Sequence, residues 1–286
     1  MKFLITGAGG QLGREWTETL QQKGLPHMPF NSGDLDITDY DKVRHIVSSV
    51  NPDVIINCAA YTDVEGAEDF PEKAFQVNRD AVRNLAAECK KNNTILVHFS
   101  TDYVFPGNSA DMKQFPDGYP EEAETGPINI YGKSKLEGEA AIRDSGADHL
   151  IIRVSWLCGK YGGNFVKTML RLSKEKENLK VVDDQFGSPT FTESLINATH
   201  FLIDTNKMGT YHFTSKGIIS WYDYASAIFE MSGRDISIQK VPSSEFQFKA
   251  ERPAFSKLST EKIESLNSKL ISNWKTGLQK LLNQLG

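Results

Sequence analysis

The chain has 286 residues, 39% of them hydrophobic, enough to bury a substantial core in one large domain or in a domain with a smaller companion. Its net charge of -5 argues against a nucleic-acid partner, which needs a concentrated basic surface, and no apolar run is long enough to predict a membrane span. The opening Lys2-Phe-Leu-Ile-Thr is too short for a signal peptide's apolar core, and Cys58, Cys89 and Cys158 are odd in number and far apart, so the expectation is a cytoplasmic protein with reduced thiols.

In chain order, Phe3-Leu-Ile, Val54-Ile-Ile, Ile95-Leu-Val-His-Phe and Leu150-Ile-Ile-Arg-Val are near-continuous apolar runs, as strands covered on both faces should be. Helical patterns follow them. Pro71-Glu-Lys opens a long one through Leu85-Ala-Ala, the proline suiting a first turn. The alternation predicts an α/β fold of Rossmann type, a doubly wound parallel sheet over residues 1–155 with its ligand crevice at the carboxyl ends of the strands. Beyond it the elements shorten: Asn164–Ser173, Thr192–Ile203, Trp221–Met231 and Asn273–Leu282 read as helices, and Leu179-Lys-Val-Val as a strand. They predict a smaller C-terminal substrate-binding lobe over 156–286, with some segments returning to the first domain.

Thr6-Gly7-Ala8-Gly9-Gly10-Gln11-Leu12-Gly13 lies between the first strand and the first helix. Glycines there allow a tight turn and close backbone approach, while the helix N-terminus offers unpaired N–H groups and a positive dipole end. The spacing Gly7-x-x-Gly10-x-x-Gly13 differs from GxGxxG, yet its place points to a dinucleotide cofactor, with Gln11 and Leu12 at the helix start. A residue that reads the adenosine ribose belongs about twenty positions on. Asn31, Asp34 and Asp36 are the candidates, with Asp36 and Ile37 bordering the adenine. Uncharged Asn31 tolerates a 2′-phosphate and Arg14 is a candidate partner for one, so NADPH is favoured, with NADH also usable. Further on, Tyr131 and Lys135 are four residues apart in Asn129-Ile-Tyr-Gly-Lys-Ser-Lys and share a helix face. A nearby ammonium stabilises a phenolate, so Lys135 is expected to lower the pKa of Tyr131 toward acid–base work; the spacing alone also suits a packing pair.

Together with Asn57-Cys-Ala-Ala-Tyr-Thr-Asp-Val-Glu, Ser100-Thr-Asp-Tyr-Val-Phe-Pro-Gly, Arg153-Val-Ser-Trp, Asn164-Phe-Val-Lys-Thr-Met-Leu, Asp184-Gln-Phe-Gly-Ser-Pro-Thr and Arg252-Pro, these segments carry a family resemblance. Over nearly its whole length the chain resembles the extended short-chain dehydrogenase/reductase superfamily and, within it, the dTDP-4-dehydrorhamnose reductase family. The resemblance implies reduction of the 4-keto group of dTDP-4-dehydro-β-L-rhamnose by a reduced nicotinamide cofactor, the last step of dTDP-rhamnose biosynthesis. It implies Tyr131 as proton donor, Lys135 as the group that tunes it and binds the nicotinamide ribose, and Thr101 as a hydrogen bond to the keto oxygen. Ala60, Tyr61, Thr62 and Phe99 would line the cofactor, and Asp102, Tyr103, Trp156, Asn164 and Arg252 would meet the dTDP-sugar. Trp156 also suits a core position and Arg252 a surface one. Asn78 would support the active-site backbone or relay protons, or simply lie on a helix surface.

Some members of that family join subunits through a magnesium ion held by glutamates. Glu15 and Glu193 match two such positions, but Lys280-Leu-Leu-Asn-Gln-Leu-Gly supplies no third carboxylate side chain. The expectation is therefore no metal site and a monomer or weak homodimer. Two alternatives remain, another nucleotide-sugar reductase or epimerase on the same scaffold, and a non-catalytic regulatory subunit that binds the cofactor. The Trp156 and Asp184-Gln-Phe-Gly segments weigh against an epimerase, and the presence of Thr101, Tyr131 and Lys135 weighs against the regulatory subunit.

Overall fold

The apolar runs form the middle of a six-stranded sheet in a computed structural model that describes residues 1–286. In chain order the first half contains β1 (Phe3–Thr6), α1 (Gln11–Gln22), β2 (His27–Phe30), α2 (Tyr40–Val50), β3 (Val54–Asn57) and α3 (Val64–Asp69). It continues through α4 (Pro71–Phe75), α5 (Ala81–Asn92), β4 (Ile95–Thr101), α6 (Asp111–Gln114), α7 (Ile130–Ser145) and β5 (His149–Val154). Every strand pair in the sheet is parallel, in the order Gly209–His212, β5, β4, β3, β1, β2. The chain moves outward in opposite directions from β1 and β3, and the crevice at their carboxyl ends is where such sheets take ligands.

Burial explains which strands were visible in the sequence. β1 and β3 are buried at every position, because α1 and the helix Thr192–Asp204 cover one face while α2, α5 and α7 cover the other. Trp16 and Leu20 of α1 meet Leu195 and Leu202 on the first face, and Val47, Leu85 and Ile142 meet Leu4, Ile55 and Leu96 on the second. The edge strand β2 has two exposed residues, Met28 and Pro29, and has no apolar run to betray it.

The long helix expected from Pro71 needs a correction. It is broken by a π-helical turn at Gln76–Asp80, between α4 and α5. Such a turn inserts one residue without ending the helix, so the sequence pattern reads through it. Here it turns Asn78 inward.

In the second half, helices Phe165–Glu175, Trp221–Met231 and Trp274–Leu285 enclose a separate core with Val166, Tyr224, Phe229 and Leu278. The strand read at Leu179 runs from Asn178 to Val182 and pairs in parallel with Ser237–Val241. The helix Thr192–Asp204 and the strand Gly209–His212 instead join the main sheet and its core. No helix is long and apolar enough to cross a membrane.

Candidate active site

The glycine turn is shaped by backbone proximity. Gly7 has φ +63°, and a Cβ there would meet the Ala59 nitrogen at 2.6 Å; a Cβ on Gly13 would run into the Gly7 carbonyl oxygen. The N-cap of α1, Gly10, has no side-chain cap, which leaves the helix start free for an anion. Gly10, Gln11 and Leu12 line a cavity of about 570 Å³ with Ala60, Thr62, Phe99, Thr101, Asp102, Tyr103, Tyr131, Lys135 and Trp156. A glycine turn that only glycine can make, an uncapped helix start and a cavity between them and the strand ends together fit a dinucleotide.

Tyr131 is brought there by α7. Asn129 caps this helix by accepting from Gly132 N, and glycines at 132 and 138 let it lie directly on the carbonyls of Tyr103 and Asn78, where a Cβ would collide. Asn78, turned in by the π-helical turn, accepts from Tyr61 N at 2.9 Å and donates to Tyr61 O at 3.0 Å and to Ser134 Oγ at 2.9 Å. It is 1% exposed, so of its expected roles the support of active-site backbone is the one the geometry gives.

The electrostatics of the tyrosine–lysine pair differ from the expectation. Burial pushes the Tyr131 phenol up to about 12, with the Thr101 hydroxyl acting against it and the Asp102 carboxyl with it. Lys135 does not contact the phenol: its Nζ donates to the Phe99 carbonyl at 2.6 Å and lies 3.2 Å from His98 Nε2. Lys135 is 2% exposed and burial brings its pKa down to about 8, opposed by Glu139. Asp102 is 4% exposed; Thr101 Oγ1 donates to its Oδ1 at 2.9 Å, while Oδ2 has no partner. Burial raises its pKa to about 7.

On the sugar side, Trp156 stands at φ +48° just after β5, a conformation that strains any residue but glycine and turns the ring into the cavity. It stacks on Trp221 at 3.6 Å. Trp221 also lines the cavity and was missed, because it opens a helix capped by Ser220 and reads there as a packing residue. Tyr103 packs edge-on against Tyr131 at 5.6 Å.

Other expected contacts stand elsewhere. Asn164 caps the helix Phe165–Glu175 and donates to Gln11 Oε1 at 2.7 Å and Gly159 O at 2.8 Å, so its amide is occupied within the protein. Arg252 lies beside Tyr103 but donates to Glu65 Oε1 at 2.7 Å. Asn31 accepts from Gly33 N and Asp34 N in a local turn beside Gly9, and Asp36 accepts from Thr38. Ile37 is 3% exposed, in the interior beside them. Arg14 donates to the Gly9 carbonyl at 2.9 Å on the rim of the turn. Tyr61 contributes backbone, held by Asn78, rather than a side chain in the cavity.

The two glutamates singled out for metal are already engaged. Thr192 Oγ1 donates to Glu15, whose pKa burial raises, and Gln284 Nε2 donates to Glu193 at 2.8 Å.

Comparison with known proteins agrees with this geometry. A family model described as RmlD substrate binding domain matches residues 1–286. The chain is 39% identical to the dTDP-4-dehydrorhamnose reductase of Escherichia coli K12, covering 100% of this chain and 98% of that protein. It is 38% identical to a dTDP-4-keto-6-deoxy-D-glucose reductase of Streptomyces niveus, over 97% of this chain and 95% of that one. The crystal structure of the Bacillus anthracis dTDP-4-dehydrorhamnose reductase in complex with NADP superposes with a TM-score of 0.94, at 39% identity over 99% of this chain and 100% of that chain. Matched from end to end in sequence and in fold, the chain belongs to the RmlD family, that of the dTDP-4-dehydrorhamnose reductases.

Proposed function

We propose that this chain reduces the 4-keto group of dTDP-4-dehydro-β-L-rhamnose to give dTDP-L-rhamnose, using NADPH in preference to NADH. The observation that carries the reading is one cavity that collects Thr101, Tyr131 and Lys135, the bare start of α1 and the stacked Trp156 and Trp221. A bound reduced nicotinamide supplies hydride. Negative charge then develops on the keto oxygen, and the Tyr131 phenol, which burial keeps protonated, gives it a proton. Thr101 Oγ1, whose single proton is directed at Asp102 Oδ1, turns it to the same oxygen when the substrate is bound. Lys135, whose pKa is about 8, carries positive charge at neutral pH and keeps the region favourable to a forming alkoxide. The Trp156–Trp221 pair gives the sugar an apolar wall.

Glu15 and Glu193, held by Thr192 and Gln284, support a monomer or weak homodimer without a bridging metal. The buried free thiols Cys89 and Cys158 suit a reducing cytoplasm. A second reading, reduction of dTDP-4-keto-6-deoxy-D-glucose, is favoured by the Streptomyces relative alone.

The test follows NADPH absorbance with each keto-sugar offered separately. Oxidation with dTDP-4-dehydro-L-rhamnose at a much higher kcat/KM is expected; faster turnover of the glucose-configured sugar establishes the second reading, and oxidation with neither overturns both. Tyr131→Phe should lower kcat by roughly 10²–10⁴-fold while NADPH still binds, since only the acid is removed. Near-native turnover in that variant rejects the assignment of the acid.

A further inference from the structure

A row of buried polar side chains runs beneath the cavity from the first strand to Lys135. Thr6, Asn57 and His98 stand opposite one another in register on β1, β3 and β4, each at most 1% exposed. Thr6 Oγ1 lies 2.6 Å from Asn57 Oδ1, Asn57 Nδ2 3.0 Å from His98 Nδ1, and His98 Nε2 3.2 Å from Lys135 Nζ. Leu4, Ile55, Leu96 and Ile151 flank the row on this sheet face, and the other polar side chains there, Ser100 and Arg153, are turned to Glu139, so the row is satisfied by its own members and Lys135.

Donor and acceptor rules limit what the row can do. Burial, then the nearby Lys135, holds the His98 pKa well below its usual value, so the ring is neutral and carries a single N–H. An ammonium can only donate. With Lys135 charged, Nε2 must accept, the ring proton is on Nδ1, and Asn57 turns its amide oxygen to that proton and its Nδ2 to Thr6. An uncharged Lys135 can accept as well as donate, which opens the reverse pattern: Nε2–H donates to the amine, Asn57 Nδ2 donates to Nδ1 and the Thr6 hydroxyl donates to Oδ1. The present Asn57 orientation matches the second pattern, and a half-turn of its amide gives the first.

We propose that His98 is a positioning residue for Lys135: its Nε2 is the side-chain acceptor that keeps the buried ammonium charged and aimed, and Asn57 selects the ring tautomer that makes it one. The other groups around the ammonium are few. Tyr131 and Glu139 lie one turn to either side on α7, and Arg153 from β5 holds Glu139 through a two-pronged contact at 2.9 and 2.7 Å. β3 presents uncharged Asn57, and α5 presents Val82 and Leu85. Of these, Glu139 acts on Lys135 from a distance, and Phe99 O and His98 touch it.

The inference rests on the proposed role of Lys135, and two experiments separate it from that role. In the wild-type enzyme, ¹⁵N NMR of labelled histidine, with His98 assigned by its loss in His98→Gln, should report the Nδ1–H tautomer at about pH 6.5 and the Nε2–H tautomer at about pH 9.5, on either side of the lysine titration. The Nε2–H tautomer at both pH values overturns the proposal, whereas Nδ1–H at about pH 6.5 supports it. In kinetics, His98→Phe removes the acceptor for the charged amine, so the alkaline fall of kcat/KM should move about one pH unit lower, and His98→Gln, which retains an acceptor oxygen, should restore most of it. A purely structural role would lower activity evenly across pH without moving that limb, and that result also overturns the inference. Lys135→Met tests the reading beneath: full turnover in that variant rejects the role of Lys135, whatever the tautomer of His98.

Discussion

Asp102 accepts one hydrogen bond from Thr101 and has none at Oδ2, so ionising it leaves a buried charge poorly compensated. Its pKa is about 7 in the folded chain against about 3.9 unfolded. Between these values the folded state holds a proton that the unfolded state has lost, so stability from this group falls as pH rises from about 4 to about 7, by the order of 4 kcal/mol. Asp102→Asn cannot ionise. Urea unfolding should therefore show the variant gaining on wild type as pH rises from about 5 to about 8, and a difference independent of pH would reject the account. Glu139 is equally buried, yet its pKa is lowered, because the Arg153 fork outweighs the cost of burial. Which outcome a buried carboxyl meets depends on a partner, and distant partners are what the sequence does not show. Asn164 is taken by Gln11, 153 positions earlier, and Arg252 by Glu65, 187 positions earlier, pairings that no local pattern encodes. Thr101, Asp102, Tyr103 and Trp156 were legible because each follows directly from a strand run whose carboxyl end must face the crevice.

At the scale of elements, apolar runs reported the central strands because both faces are covered, while two-residue strands such as Phe186–Gly187 and Thr190–Phe191 are too short for any period to register. The π-helical turn was hidden for a different reason, since it changes the register of a helix without changing its composition. Helix α7 was visible in the spacing of Tyr131 and Lys135, but the reason for its glycines was not. Gly138 meets the Asn78 carbonyl and Gly132 the Tyr103 carbonyl, so α7 rides on two carbonyl oxygens and on the π-helical turn that supports Tyr61. In Gly138→Ala the helix gains about 1 kcal/mol in propensity, but the added methyl meets backbone that cannot rotate away, at a typical cost of ~1–3 kcal/mol. The steric term should win. The variant is expected to unfold at lower urea concentration and, because α7 carries Tyr131 and Lys135, to lose kcat more than it gains KM for NADPH. A variant more stable than wild type would show that α7 can move outward freely.

Across the whole molecule, the two halves meet at the cavity rim through the loop that carries Arg252. Glu65 on α3 accepts from Lys249 N at 2.7 Å and from Arg252 Nη2 at 2.7 Å, and Asp69 accepts from Lys249 Nζ at 2.6 Å. Phe248 lies under the Arg252 guanidinium and stacks with Phe246, both rings being 39% exposed. The loop is thus fastened to α3 by charges and carries two exposed aromatic side chains, which makes it a clear target for chymotrypsin. The Lys249–Asp69 pair is well exposed and screened by salt, so little of the fastening belongs to it. Glu65 is more sheltered and joins both backbone and guanidinium. Removing it in Glu65→Ala should weaken closure by about 1 kcal/mol, which raises the open fraction roughly fivefold. Limited chymotrypsin digestion at low enzyme concentration reads that fraction, because cleavage then follows the equilibrium of opening rather than its rate. The expected result is cleavage at Phe246 or Phe248 several-fold faster in Glu65→Ala than in wild type, a smaller increase in Asp69→Ala, and a wild-type rate that climbs with added salt. Equal rates in all three chains would mean that the loop is held by its packing, and that the charges at the rim are left free for the substrate.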